Sequence, residues 1–214
     1  MKRHTRVFAV HVHHGLSPNA DSWTRFCKKL CSEWRVPLTV RRVKVQKRGK
    51  GLEAAAREAR YKVFKSLRCD ALLLAHQLDD QAETVLMNLL RGAGRRGARG
   101  MAQSAPLDGK LLLRPLLELP RTAILAYARS ESLQWIDDES NADPGLTRNY
   151  LRLRVAPLVE AKFPRWRENL ARAARHFAEE ELRASDLLRD FLAAHGLKAP
   201  SEAKLVEMLK QLVS

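Results

Sequence analysis

Long apolar runs are the first thing these 214 residues lack. The longest, Val7–Val12, Ala71–Ala75 and Leu111–Leu113, fall far short of the ~20 residues that a membrane-spanning helix needs. The opening residues MKRHTR are basic, but no signal-peptide apolar region and cleavage site follow. The expectation is a soluble cytoplasmic protein with no membrane partner. Cysteine is scarce: Cys27, Cys31 and Cys69 are too few for a disulfide framework. Cys27 and Cys31 stand four apart, in step with Ala20, Trp23, Leu30 and Trp34, so they read as one apolar helical face with a structural role. There are no internal repeats and no low-complexity tracts.

Acidic residues are also few for the number of basic ones. Lys and Arg number 39 against 24 Asp and Glu, a formal charge of +15. Such an excess suits a polyanionic partner, because neutralising phosphates releases counterions. Nucleic acid is favoured over a membrane surface, since no strongly basic amphipathic helix carries an aromatic apolar face.

The hydrophobic pattern predicts alternating elements. Val7–His14 reads as a buried strand, and Ser17-Pro18 opens a helix running to Trp34, with Ser as N-cap and Pro in the first turn. Leu38–Val45 is a strand nearer an edge, followed by a basic loop at Gln46–Gly51. Leu52–Leu67 is helical. Ala71–His76 has the continuous apolar character of a central parallel strand covered on both faces. Asp79–Arg91 is a helix that Gly92 terminates, Gly92–Gly100 a flexible basic loop, and Leu111–Arg114 a last strand before Pro115. Beyond Pro120 only helices are predicted, at Thr122–Ser132, Asn149–Glu160, Arg165–Ala194 and Glu202–Val213, with a polar loop over Leu133–Thr147. This order implies an α/β doubly wound domain. The domain boundary is expected at 158/159, with an α/β domain over 1–158 and a helical region over 159–214.

Four groups of residues are candidates for chemistry. His76, Asp79, Asp80 and Glu83 lie where a parallel strand runs into a helix, the edge at which open α/β sheets bind ligands. Asp80-x-x-Glu83 has equally the spacing of a helix capping box. Arg57 and Arg60 face the same way, one turn apart, and suit a carboxylate or phosphate, but the ordinary reading is a solvated helix with Glu53–Arg57 and Glu58–Lys62 pairs. His11, His13 and His14 crowd a strand end. Alternation sends His11 and His13 to one face and His14 to the other, which favours a histidine lining a nucleotide pocket over a metal cage. Finally, the acidic cluster at 137–139 precedes Arg148, Asn149 and Arg152, whose spacing suits phosphate contacts.

The segments HVHHGL, LEAAAREARY, AHQLDDQAETVLMNLLRGAG..G..GM and DDESNADPGLTRNYLR, with RPLL between them, resemble in order and spacing the tRNA(Ile)-lysidine synthetases. The resemblance runs from about Val7 to Pro157. It implies a Rossmann-like parallel sheet of the adenine nucleotide α-hydrolase type followed by a small all-α region. It also implies a reaction: ATP, with Mg2+, adenylates the wobble cytidine of a CAU-anticodon tRNA(Ile), and L-lysine displaces AMP to give lysidine.

By the same resemblance Arg57, Asp80 and Glu83 are expected to be catalytic, with the carboxylates holding lysine ammonium groups. His76, Asp79, Arg91, Gly92 and Gly94 would bind substrate, and His11 and His14 the nucleotide. Arg148, Asn149 and Arg152 would meet tRNA. No protein-held metal site is expected, and a homodimer is a possible assembly. The family's SGGxDS loop, whose backbone N–H groups cradle pyrophosphate, does not occur in these residues. The sheet is therefore expected to lack its first strand and helix, and this polypeptide alone is expected to be inactive. The alternatives are a non-enzymatic RNA-binding remnant, carried by the charge alone, or another tRNA-modifying ATPase of the same fold, such as a thiolase.

Overall fold

The computed structural model describes residues 6–46 and 51–194. Residues 47–50 of the expected basic loop and the helix expected at Glu202–Val213 lie outside them. In chain order the elements are β1 (Ala9–His13), α1 (Ala20–Glu33), β2 (Leu38–Arg42), α2 (Leu52–Ser66), β3 (Ala71–Leu73), α3 (Leu78–Leu90), α4 (Arg95–Ala98), β4 (Ser104–Leu107), β5 (Lys110–Leu113) and α5 (Arg121–Ser130). A 3-10 turn (Glu139–Ala142) follows. A helical run then comprises α6 (Thr147–Tyr150), a π-helical turn (Leu151–Val155) and α7 (Ala156–Lys162), and α8 (Trp166–Ala194) comes last.

The strands form two groups. β1 and β2 pair in parallel with Ala9 opposite Leu38. β5 lies between β3, parallel to it, and β4, antiparallel. Among the described residues, β1 and β3 each hydrogen-bond to a strand along one edge only. The expectation that Ala71–His76 is covered on both faces is corrected here. Leu73 is 65% exposed and Leu111, two positions out of register on β5, is 45% exposed. An apolar run this short reads as buried only if both neighbours and both faces are supplied.

Sequence reasoning missed β4, because Pro106 lies inside it. Pro is tolerated on an edge strand, and β4 is one. The turn that joins β4 to β5, also missed, has Asp108 and Gly109 both at positive φ, 52° and 74°, the backbone of a two-residue type I′ hairpin. At the start of α1, Ser17 is not the N-cap. Its Oγ accepts from the Asn19 N–H at 2.9 Å in a turn that precedes the helix, which begins at Ala20.

The chain divides into two compact units, each with its own core. The first comprises the described residues of Met1–Leu78 and Ala102–Pro164, and buries Ala20, Ala55, Phe64, Leu67, Leu112 and Leu151 among others. The second comprises those of Asp79–Met101 and Arg165–Ser214, and buries Ala82, Val85, Ala98, Trp166, Ala171 and Ala174. This division is discontinuous in sequence, where composition suggested a single cut. No helix among the described residues is long and apolar enough to cross a membrane.

Candidate functional site

In the first unit the candidates gather around β1, α2 and α6. His11 and His13 stand on one face of β1 with ring centroids 6.4 Å apart and edge to face. His11 Nδ1 lies 3.7 Å from Cys27 Sγ on α1. Burial, then the neighbouring His13, holds His11 below the usual imidazole range. Burial likewise raises the Cys27 thiol, followed by the effect of Cys31, which keeps it an unreactive thiol. His13 is buried, and its Nε2 is 3.2 Å from Asp21 Oδ1 and 3.3 Å from the Arg42 guanidinium, which itself donates to the same Asp21 oxygen at 2.7 Å. That network ties β1, α1 and β2 together, so His13 serves the fold.

His14 is the histidine turned toward positive charge. Its Nδ1 is buried without a hydrogen-bond partner, and burial, then Arg60, pushes its pKa down. Arg60 itself is held below its ordinary value by desolvation first, then by Arg57 and, more weakly, Arg148. Arg57 is exposed, stacks on the Tyr61 ring 4.8 Å from the centroid, and donates to the Tyr61 hydroxyl at 3.2 Å. Its neighbour Glu58 pairs with Lys62 at 3.7 Å, as the solvated-helix reading expects. So α2 presents two exposed arginines: Arg57 lies on an aromatic face, while Arg60 stands in a cationic neighbourhood with Arg57 and Arg148. Spacing named both, and the family resemblance singled out Arg57.

Asn149 is placed differently from its expected role. It is buried, and its Nδ2 donates to the carbonyls of Ser140 at 2.6 Å and Asp143 at 2.9 Å. Its amide nitrogen closes the 139–149 loop, a structural task the sequence reading did not assign to it. The same loop is fastened to the segment after β1 by a Ser17 Oγ–H that donates to Glu139. Arg148 and Arg152 are half-buried, and Arg152 belongs to the π-helical turn, a distortion found disproportionately at functional sites.

In the second unit the acidic motif is carried by α3. The helix starts at Leu78, whose N–H donates to Leu119 O at 2.9 Å. That is three residues before a cap at Asp80 requires. Thr84 Oγ1 donates to the Asp80 carbonyl at 2.7 Å, a bond made inside a helix. The capping-box reading of Asp80 and Glu83 is therefore lost. Asp80 is half-buried and Glu83 is buried. Asp79 is held by α8: its Oδ1 lies 3.0 Å from Arg167 Nε, and that guanidinium stacks on Trp166 at 4.7 Å. Neither Arg167 nor Trp166 was legible as a partner from sequence.

The RGAG..G..GM stretch is not flexible. Gln81 is buried and grips Met101 from both ends, Nε2 donating to its carbonyl at 2.9 Å and Oε1 accepting from its N–H at 2.8 Å. Asn88 Nδ2 donates to Gly97 O at 2.8 Å. A Cβ at Gly97 would stand 2.4 Å from the Ala93 Cβ, and one at Gly100 within 2.9 Å of Gln81 and Val85. The glycines at 97 and 100 let two stretches of chain touch, and one turn of helix, α4, forms where a flexible loop was expected. Gly92, with φ +73°, ends α3, while Gly94 has ordinary φ and open space around it; Arg91 is exposed.

With this geometry in place, the PP-loop domain model matches residues 1–159. The chain belongs to the PP-loop family. It is 45% identical to a tRNA(Ile)-lysidine synthase of Azoarcus sp. strain BH72 over 95% of its own length and 53% of that protein. It is 44% identical to that of Escherichia coli O157:H7 over 94% and 47%, and 48% identical to that of Chromobacterium violaceum over 87% and 43%. The chain thus spans about half the length of the curated relatives it matches. Among solved structures it is similar to the U34-tRNA thiolase NcsA from Methanococcus maripaludis with its 4Fe-4S cluster, at TM-score 0.62, covering 80% of this chain and 62% of that one. At 19% identity that likeness concerns the fold alone, which is the α/β class expected of a PP-loop protein.

Proposed function

We propose that the chain carries a large part of the catalytic half of a tRNA(Ile)-lysidine synthase, a cytoplasmic ligase. It would adenylate the wobble cytidine of a CAU-anticodon tRNA(Ile) with ATP and attach L-lysine. The observation that carries this reading is 40% to 48% identity to proteins of that name over most of the chain. The formal charge of +15 supports an RNA substrate.

In the proposed mechanism ATP loses pyrophosphate as the C2 oxygen of cytidine attacks its α-phosphorus. The lysine amine then adds at C2 and AMP departs. Asp80 and Glu83 hold the lysine ammonium groups. Burial of Glu83 strengthens such a charge pair, since water screens it less. Asp79, fixed by Arg167, positions the start of α3, with His76 beside it in sequence. Arg60 joins Arg57 as a candidate for binding an anionic group, a phosphate or a carboxylate. His11 and His14, both held neutral by burial, are suited to line a nucleotide pocket as hydrogen-bonding groups without added charge. Arg91, Gly92 and Gly94 remain substrate-binding candidates on the α3–α4 loop, and Arg148 and Arg152 remain tRNA-binding candidates.

Mg2+ fits this scheme only as a companion of the ATP phosphates. Among the described residues no group of three or more His, Cys, Asp or Glu side chains could hold a metal, and Mg2+ commonly needs only one or two carboxylates besides phosphate. The same finding gives the thiolase alternative no cluster site among the described residues.

The test is lysidine formation by the full-length protein bearing Asp80→Asn. Lysine transfer is expected to fall by at least about a hundred-fold, the scale on which preorganised charged or polar groups act, while pyrophosphate release on tRNA(Ile) persists. Near-normal lysidine formation would sink the assignment. The polypeptide of these 214 residues alone contains no SGGxDS loop and is expected to release no pyrophosphate.

A further inference from the structure

The arginines at 91, 95, 96 and 99 crowd one short stretch, and all four are exposed. Their backbone is fixed. The grip of Gln81 on Met101, the Asn88–Gly97 bond and the burial of Ala98 hold α4 against α3. Glu181 on α8 takes Arg99 at 2.8 Å and Arg96 at 3.5 Å. One carboxylate thus faces two guanidiniums, and the Arg96 side chain stays 82% exposed. Arg91 and Arg95 have no carboxylate partner among the described residues. A merely solvated helix face would interleave charges of both signs. Here four exposed arginines stand within residues 91–99, and Glu181, itself only 28% exposed, is the carboxylate paired with them among the described residues.

We propose that α4 is an RNA-backbone contact surface, with Arg95 and Arg96 meeting phosphates and Glu181 anchoring the turn that presents them. This rests on the reading of the protein as an RNA-modifying enzyme and adds to it the place where part of the sequence-independent affinity originates. The fork geometry of guanidinium suits phosphate, and a pre-set backbone reduces the ordering cost of the contact. Such contacts position the substrate and do not read its sequence, so any tRNA of similar length should feel them equally.

The experiment is a salt titration of binding between this 214-residue chain and a fluorescently labelled tRNA transcript. It compares the wild type with R95A/R96A and R95K/R96K. The alanine pair is expected to raise Kd at least about fivefold and to lower the slope of log K against log salt by about 1–2, as losing one or two phosphate contacts requires. The lysine pair is expected to retain most of both, because Lys also binds phosphate as a point charge. An unchanged Kd and slope in R95A/R96A overturns the proposal and leaves the enzyme reading intact. A lysine pair as weak as the alanine pair also overturns it, since charge is then not what the surface supplies. A wild-type chain that binds no tRNA overturns both readings together.

Discussion

The 92–101 loop and the 139–149 loop each hang on one buried carboxamide. Gln81 holds Met101 by its N–H and its carbonyl, whereas Asn149 holds two separate carbonyls, of Ser140 and Asp143. The difference lies in what else is there. The first loop is also closed by glycines with no room for a side chain, and its far end, Met101, is half-buried. The second has Ser140 and Asp143 in the open, and its remaining ties are carboxylates: Asp138 Oδ1 accepts from Ser140 N–H at 2.8 Å and Asp143 Oδ1 from Gly145 N–H at 2.8 Å. The first loop has its arginines exposed, while Arg148 at the end of the second is half-buried. In the first loop, then, the amide and glycine positions build the turn and the charged positions are what it presents, whereas in the second the charged positions also build it.

The sharpest way to break this comparison is Gly100→Ala. The residue has φ +62°, and a Cβ there would lie 2.8 Å from Gln81 Oε1 and 2.9 Å from Val85 Cγ2. Left-handed backbone and overpacking together predict a loss of about 2–4 kcal/mol in urea unfolding. Gly94→Ala, with φ −69° and open space around it, is the control and should change stability by less than about 0.5 kcal/mol. Equal effects of the two would show that the glycine spacing is incidental.

The next effect compares the two amides directly. Gln81→Ala strips partners from a half-buried N–H and carbonyl and should cost about 2–3 kcal/mol. Asn149→Ala frees carbonyls that water can reach and should cost about 1–2 kcal/mol. Amide exchange should quicken around residues 97–101 in the first variant and 140–145 in the second. A larger loss for Asn149→Ala would reverse the ranking.

How much of this was legible depended on whether the deciding contact is local. The helix α8, predicted as 165–194 and present from Trp166 to the last described residue, Ala194, follows from an unbroken helical period. The helix α3 was read to within one residue, as 79–91 against Leu78–Leu90, but a capping box and a mid-helix acidic pair have the same spacing, and the helix start and the Thr84–Asp80 bond are what separate them. The glycines at 92, 94, 97 and 100, mostly three apart, were visible, but their meaning needed Gln81 and Val85 opposite Gly100. Asn149 looked like a surface polar group between two arginines, because burial of one residue of a helical turn is decided by the loop folded over it. Arg57 and Arg60 have identical chemistry one turn apart and are both exposed, so neither spacing nor burial chooses between them.

The smallest predicted effect concerns acid. Glu139 accepts from Ser17, and that hydrogen bond holds its carboxyl below the usual range. A carboxylate whose folded pKa is depressed binds its proton later in the folded than in the unfolded state. Its stabilising contribution is complete above the ordinary value of 4.5 and is lost as pH falls from there through the lowered folded value. Glu139 is exposed, so solvent screening keeps the contribution small. Its removal should therefore appear as a local change in the 139–149 loop, not as global unfolding. Between pH 5 and 3, amide exchange at 140–145 should rise above the intrinsic trend in the wild type, and Glu139→Gln should show less of that rise. The glycine contacts and the Gln81 grip carry no titrating group, so exchange at 97–101 should follow the intrinsic trend more closely. A 97–101 segment that opens with acid as readily as 140–145 would mean that the amide and glycine packing is not what holds the first loop shut.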